Sequence, residues 1–161
     1  MKRIISSETP RVGKYIDALL EKALTEYGRS SKQFRGIHGQ YYRIPNGQSS
    51  LGRDRHFYAE SQSWDNGGIE RMYRRVAIVD VVSACASECS YCVRGYYPTF
   101  ALSEDRLTAI ADELSRDENV REVLITGGDP FVATRRLEHL ITELVERAHN
   151  VRYIRIGTRI P

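Results

Sequence analysis

Between Val76 and Ile156 the apolar pattern switches repeatedly between strand and helix periods, and this alternation constrains the fold more than any other feature of the chain. Val76-Ala77-Ile78-Val79-Asp80-Val81-Val82 is a β-branched run of the length expected for a strand buried on both faces. Asp80 inside it is expected as a hydrogen-bonded structural carboxylate, since burying it unpaired would be costly. Leu107, Ile110, Ala111 and Leu114 then recur at helical spacing behind Ser103, a residue suited to capping a helix start. Val120 to Thr126 reads as a second strand, closed by Gly127-Gly128-Asp129-Pro130. Thr134 or a neighbour opens another helix, with Leu137, Leu140, Ile141, Leu144, Val145 and Ala148 inward and a stop near Asn150. Val151 to Ile156 makes a third strand. This order predicts an α/β fold of parallel strands joined by right-handed crossovers. In such sheets ligands bind beyond the carboxyl ends of the strands. Three unusual loops fall there: the one after Val82, Gly127-Gly128-Asp129, and Gly157-Thr158-Arg159.

The first of these loops holds every cysteine of the protein, Cys85, Cys89 and Cys92. Three thiolates do not close a shell that wants four ligands, so either another side chain completes it or one position is kept for a ligand. Thiolates favour zinc, copper(I) or iron-sulfur clusters, and a four-iron cluster held by three cysteines keeps one iron open to substrate or cofactor. The spacing i, i+4, i+7 would also place three small hydrophobes on one helical face, although the small and turn-forming residues between them favour a loop. Zinc on Cys89 and Cys92 would need a second Cys or His pair, and His38, His56, His139 and His149 are scattered. An odd cysteine count argues against a disulfide framework.

The 161 residues, 41% hydrophobic and 28% charged, are about one domain's worth of ordinary protein. The longest apolar run, near Val76 to Val82, is too short to span a bilayer. Met1-Lys2-Arg3-Ile4-Ile5 starts like a signal peptide but meets Ser6-Ser7-Glu8-Thr9-Pro10, so the expected location is cytoplasmic with no membrane partner. The net charge of +3 is uneven: residues 1–60 carry 11 Lys/Arg against 6 Asp/Glu. Interleaved with Tyr41, Tyr42, Phe57 and Tyr58, this surplus has the ingredients for phosphate and stacking contacts. No nucleic-acid motif accompanies it, which favours a solvated or partner-facing arm. Thr9-Pro10 reads as a helix start, and Val12, Ile16, Leu19, Leu20, Ala23, Leu24 and Tyr27 form a packing stripe that ends at Gly28. From Arg29 to Glu70 the pattern predicts mostly loop with short elements, with turn signals at Pro45-Asn46-Gly47 and Asp65-Asn66-Gly67-Gly68. The expected division is 1–70, an N-terminal helix plus basic irregular arm, and 71–161, the α/β core.

Glycines at a strand end let a ligand approach the backbone and leave carbonyl oxygens as acceptors, which suits an ammonium group. A Gly-Gly pair also serves any tight turn between strand and helix. Pro130 holds Asp129 extended, and Asp129 can cap the segment that follows. Arg159 offers a planar fork for a carboxylate. Open iron, ammonium acceptors and a carboxylate-binding arginine together fit an amino acid with a cationic sulfur, S-adenosylmethionine.

The Cys85 to Cys92 motif, with aromatic Tyr91 before its last cysteine, resembles the radical S-adenosylmethionine (radical SAM) signature. The stretch from about Val76 to Pro161 is similar to the lysine 2,3-aminomutase family. Leu124-Ile125-Thr126-Gly127-Gly128-Asp129-Pro130 and Ile154-Arg155-Ile156-Gly157-Thr158-Arg159-Ile160-Pro161 resemble that family's two most recognisable later motifs, in the same order. The resemblance implies a partial (incomplete) TIM-like barrel of radical SAM type, here three parallel strands with crossover helices, preceded by a helical and irregular N-terminal region. It implies a [4Fe-4S] cluster on Cys85, Cys89 and Cys92. Its unique iron would chelate the amino and carboxylate groups of S-adenosylmethionine and pass one electron, from an external donor, to the sulfonium. The products would be methionine and a deoxyadenosyl radical that takes hydrogen from a small amino-acid substrate, whose amino group then migrates. By the same resemblance Tyr91 lies beside the adenine, Gly127, Gly128 and Asp129 meet the methionyl amino group, Arg159 lies near the cofactor's polar end, and Arg94 holds the substrate carboxylate.

The departures shape the expectation as much as the matches. The family's arginine-rich run after the cluster is here Val93-Arg94-Gly95-Tyr96-Tyr97. The lead-in to the first strand, which in the family helps hold pyridoxal phosphate, is only loosely echoed by Arg71 to Arg75, so pyridoxal phosphate stays an open expectation. The family's barrel continues through six strands, with its pyridoxal lysine and substrate-amine carboxylates in the later half. The expected protein is thus the N-terminal half of such an enzyme, a truncated product or one subunit of a split enzyme. An exposed third-strand edge would then be covered by a second chain supplying the rest of the barrel or by a homo-oligomer. Two further readings stay open: a radical SAM enzyme whose basic arm engages a protein or RNA, and a non-catalytic metal-binding module whose three cysteines hold zinc or a structural cluster.

Overall fold

The computed structural model describes residues 12–41, 67–71, 73–89, 92 and 100–160. The chain forms two compact units. One comprises Met1–Arg55 with Ala86–Gly95, the other His56–Cys85 with Tyr96–Pro161.

In the first unit, α1 (Lys14–Tyr27) and α2 (Lys32–Tyr41) pack against each other. Gly28 ends α1 in a backbone conformation open to glycine, φ 77°, and its N–H reaches the Leu24 carbonyl at 3.0 Å. The helix begins at Lys14 with Gly13 before it, while the Thr9-Pro10 start read from sequence lies outside the described residues. Of the expected packing stripe Ala23 is buried, whereas Leu24 and Tyr27 are exposed. Helix α2 is a longer element than the sequence pattern suggested after Arg29. Ser31 accepts the Phe34 N–H at 3.1 Å and so caps its start. The buried Phe34 ring stacks on His38 one turn later, with centroids 5.6 Å apart. These contacts offset the helix-weakening Gly36 and Gly39.

The second unit is an α/β layer. Its sheet runs in the order β1 (Ile69–Glu70), β2 (Val76–Val82), β3 (Glu122–Gly127), β4 (Tyr153–Ile156). Strands β2, β3 and β4 are parallel, with Val76 opposite Glu122 and Glu122 opposite Tyr153, as the alternation predicts. Strand β1, which sequence reading did not separate from its surroundings, pairs antiparallel with β2 after the Gly67-Gly68 turn. The described sheet is open, not a closed barrel.

Ser103 accepts the Arg106 N–H at 3.2 Å and caps α3 (Glu104–Arg116), and Glu104 and Asp105 complement the positive end of the helix. After β3 a short 3-10 turn (Pro130–Ala133) leads into α4 (Thr134–Arg147). Ala77, Val79 and Val81 of β2 and Val123 and Ile125 of β3 alternate onto one core with Leu107, Ile110, Leu114, Leu137, Leu140 and Leu144. The other side of β2 is covered too: Ile78, Asp80 and Val82 are buried. Val145 was expected inward but is 64% exposed. The inward arc of α4 follows Leu137, Leu140 and Leu144, and one residue further on points away from the sheet.

Asn150 fastens the layer from the end of α4. Its amide nitrogen donates to the carbonyls of Leu114 and Asp117 at 3.0 Å and of Val120 at 3.2 Å, tying the end of α3 to the approach to β3. Asp117 closes α3. The Asn119 backbone and side-chain donors, with the Arg71 guanidinium beside them, hold its carboxyl below the usual carboxylate range. No helix among the described residues is long and apolar enough to cross a membrane.

Urea unfolding should separate the two faces of α4: Leu140→Ala is expected to cost about 2–5 kcal/mol, Val145→Ala no more than about 0.5 kcal/mol. Asn150→Leu removes this donor while the three carbonyls keep the Asp117 N–H, the Val120 N–H and the Arg121 guanidinium as donors, and it is expected to cost about 0.5–1.5 kcal/mol in the same measurement.

Candidate functional site

The loops that leave the carboxyl ends of β2, β3 and β4 are laced together by backbone before any side chain is considered. The Val82 carbonyl accepts the Gly128 N–H at 2.5 Å, and the Ala84 carbonyl accepts the Asp129 N–H at 2.8 Å. Gly157 N–H donates to Ile125 at 2.8 Å. A Cβ on Gly127, whose φ is 128°, would fall against the Val82 carbonyl, and one on Gly128 against that of Ala84. Both glycines are therefore required for close approach of two backbone segments. The other segment in this approach is the stem from which the cysteine loop departs. Ser83 fixes that stem on its other side, its hydroxyl accepting the Phe100 N–H at 2.8 Å.

Asp129 joins the second loop to the third. It is 6% exposed, and it does cap the segment after it, accepting the Phe131 N–H at 3.1 Å. The same carboxylate accepts the Thr158 hydroxyl, 2.8 and 2.9 Å from its two oxygens, and the Arg159 N–H at 2.8 Å. A carboxylate has about four acceptor positions. With donors from Phe131, Thr158 and Arg159 in place, about one is left.

Cys85, Cys89 and Cys92 are each half-buried on the segment after β2. The Cys92 N–H donates to the Cys89 carbonyl at 3.0 Å, closing a turn between the last two. Among the described residues no three His, Cys, Asp or Glu side chains already converge as a metal site. The donor chemistry nevertheless fits a cluster with one open iron, because three partly exposed thiols on a short loop can gather around metal as it binds. Gly127, Gly128, Asp129 and the backbone of Arg159 are brought to one rim with Cys85. The Arg159 side chain is exposed. Tyr91 and Arg94 lie outside the described residues. Thr158, which sequence reading placed in the third loop without giving it a role, is the hydroxyl that holds that loop to Asp129. No local signal marks the contact, because its partner is far away in sequence.

The family profile described as a 4Fe-4S single cluster domain matches residues 74–156. A provisionally named L-lysine 2,3-aminomutase of Aquifex aeolicus (strain VF5) is 32% identical over 107 residues, 64% of this chain and 29% of the relative. The L-lysine 2,3-aminomutase of Buchnera aphidicola subsp. Baizongia pistaciae is 26% identical over 96 residues, 58% of this chain and 28% of the relative. The glutamate 2,3-aminomutase of Clostridioides difficile (strain 630) is 32% identical over 101 residues, 58% of this chain and 23% of the relative. The chain thus spans less than a third of the length of these curated relatives. With the profile matching from the lead-in to β2 through the end of β4, the chain belongs to the 4Fe-4S single cluster domain family, as a radical SAM-type domain with distant, partial similarity to the lysine 2,3-aminomutases.

Proposed function

We propose that this chain carries the cofactor-binding part of a radical SAM enzyme that moves the amino group of a small amino acid. Cys85, Cys89 and Cys92 would hold a [4Fe-4S] cluster. Gly127, Gly128 and the remaining acceptor position of Asp129 would receive the amino group of S-adenosylmethionine, with Arg159 near its polar end and Tyr91 beside its adenine. When bound, cluster and cofactor supply reductive cleavage of the sulfonium and removal of a hydrogen atom from substrate. The chain's own residues fix where those groups sit. The observation that supports the reading is the lacing of the Gly127–Asp129 segment to the Val82–Ala84 stem, at the root of the cysteine loop.

Arg94 is the proposed partner of the substrate carboxylate, and an external donor would supply the electron. Of the segment that loosely echoes a pyridoxal phosphate site, Arg71 pairs with Asp117 at 2.9 Å and Arg74 donates to Asn119 at 3.0 Å. Both lie toward the amino end of β2, away from the cysteine loop, so pyridoxal phosphate binding is proposed for the completed barrel and not for this segment. β4 is the edge of the described sheet, with Tyr153 and Ile156 exposed. A covering strand from the rest of the barrel, or from a second chain, is proposed there.

Anaerobic reconstitution should load about four irons with sulfide per chain. S-adenosylmethionine should change the electron paramagnetic resonance spectrum of the reduced cluster, and reduction should release 5′-deoxyadenosine. Alanine at Cys85, Cys89 or Cys92 is expected to abolish all three readouts. Stoichiometric zinc in place of iron, or a spectrum indifferent to S-adenosylmethionine, would overturn the proposal. Asp129→Ala frees Thr158 and the Arg159 N–H from their shared acceptor, and it is expected to weaken S-adenosylmethionine binding by at least about tenfold, measured by equilibrium titration of the loaded protein.

A further inference from the structure

Helix α1 starts without a cap of its own. Gly13 holds the N-cap position with φ −81° and ψ 152°, and no side chain there accepts from the first turn. Its carbonyl accepts the N–H groups of Ile16 and Asp17 at 3.0 and 3.2 Å. Its own N–H, one of the donors a helix start leaves over, is taken by the Ser87 hydroxyl at 2.8 Å, a residue 74 positions away. The approach is close as well as polar. A Cβ on Gly13 would stand 2.7 Å from the Ala86 carbonyl oxygen and 2.8 Å from Ser87 Oγ, so a side chain there would have to displace backbone. Ala86–Gly95, which includes Cys89 and Cys92, belongs to the same compact unit as α1.

Resting on the reading of this loop as the cluster-binding segment, we propose that Ser87 is a positioning residue, which docks the cysteine loop on the start of α1 so that helix order and metal retention are coupled. A loop free of such contacts loses its conformational freedom when it gathers around a metal, and this opposes binding. Docking Ser87 on Gly13 removes part of that freedom beforehand. The coupling is reciprocal: whatever α1 contributes to the order of the loop, a bound cluster returns to the first turn of α1. Gly13 lies outside the stretch matched by the family profile, residues 74–156, so this contact is not part of the similarity that assigns the family.

The test uses the full chain, reconstituted anaerobically, with two readouts: iron release to a chelator, and amide hydrogen exchange at Ile16 and Asp17 with and without iron. In the unaltered protein, iron loading is expected to slow exchange at these amides by about fivefold. Ser87→Ala should release iron about five times faster, as loss of one ordinary hydrogen bond would produce, and should remove the iron dependence of the exchange. Ser87→Thr keeps the hydroxyl and should restore both. Gly13→Val, which crowds the contact from the other side, should reproduce Ser87→Ala. Iron release and exchange unchanged in Ser87→Ala would overturn the coupling while leaving the cluster assignment standing. A failure of the unaltered chain to take up iron would overturn both.

Discussion

The carboxylate of Asp129 is the interaction on which the candidate site depends. It is nearly enclosed, and donors from three directions reach it: the backbone of the turn that follows, the Thr158 hydroxyl and the Arg159 N–H. Hydrogen bonds to a charged acceptor are stronger than neutral ones, and more so where water is excluded. The carboxylate therefore sets the distance between the loops after β3 and β4 from inside the protein. The Gly128 and Asp129 N–H groups continue the fastening to the stem after β2. A rim tied in this way is organised in advance of any ligand, which lowers the ordering cost of binding one.

Beneath the rim lies a scaffold whose stability has a separate origin. The odd-numbered residues of β2 and β3 meet the leucine faces of α3 and α4 in one dry core, and Asn150 closes the gap between the end of α3 and the approach to β3. Many unrelated functions use parallel sheets of this kind, so the functional assignment rests on the cysteine loop and on the loops that face its root.

The family profile covers the sheet and its loops, Ser87 included, while α1 and Gly13 lie before the matched stretch. Two kinds of information therefore meet at the cysteine loop. Its stem is held by glycines of the shared core, and its middle is held by a glycine at the start of a helix outside that core. The first kind of contact lies wholly within the stretch that the family profile matches, and the second joins that stretch to a residue outside it.

What the sequence determined by itself was whatever depends on nearby residues. The β-branched run of β2, the Ser103 cap, the leucine spacing of α3 and α4 and the gathering of all cysteines in one loop are local patterns, and each follows from backbone sterics, capping or ligand chemistry acting over a few positions. Tertiary structure decided the remainder. Val145 sits at helical spacing for burial, yet the width of the packed face left it outside. The two-residue β1 exists through its pairing with β2, and α2 holds despite two glycines through Ser31 and the stacking of Phe34 on His38. The reason Gly127, Gly128 and Gly13 must be glycine, and the partners of Asp129 and Ser87, became visible only when segments 29 to 74 residues apart met in space. No periodicity along a chain encodes which distant carbonyl a missing Cβ makes room for.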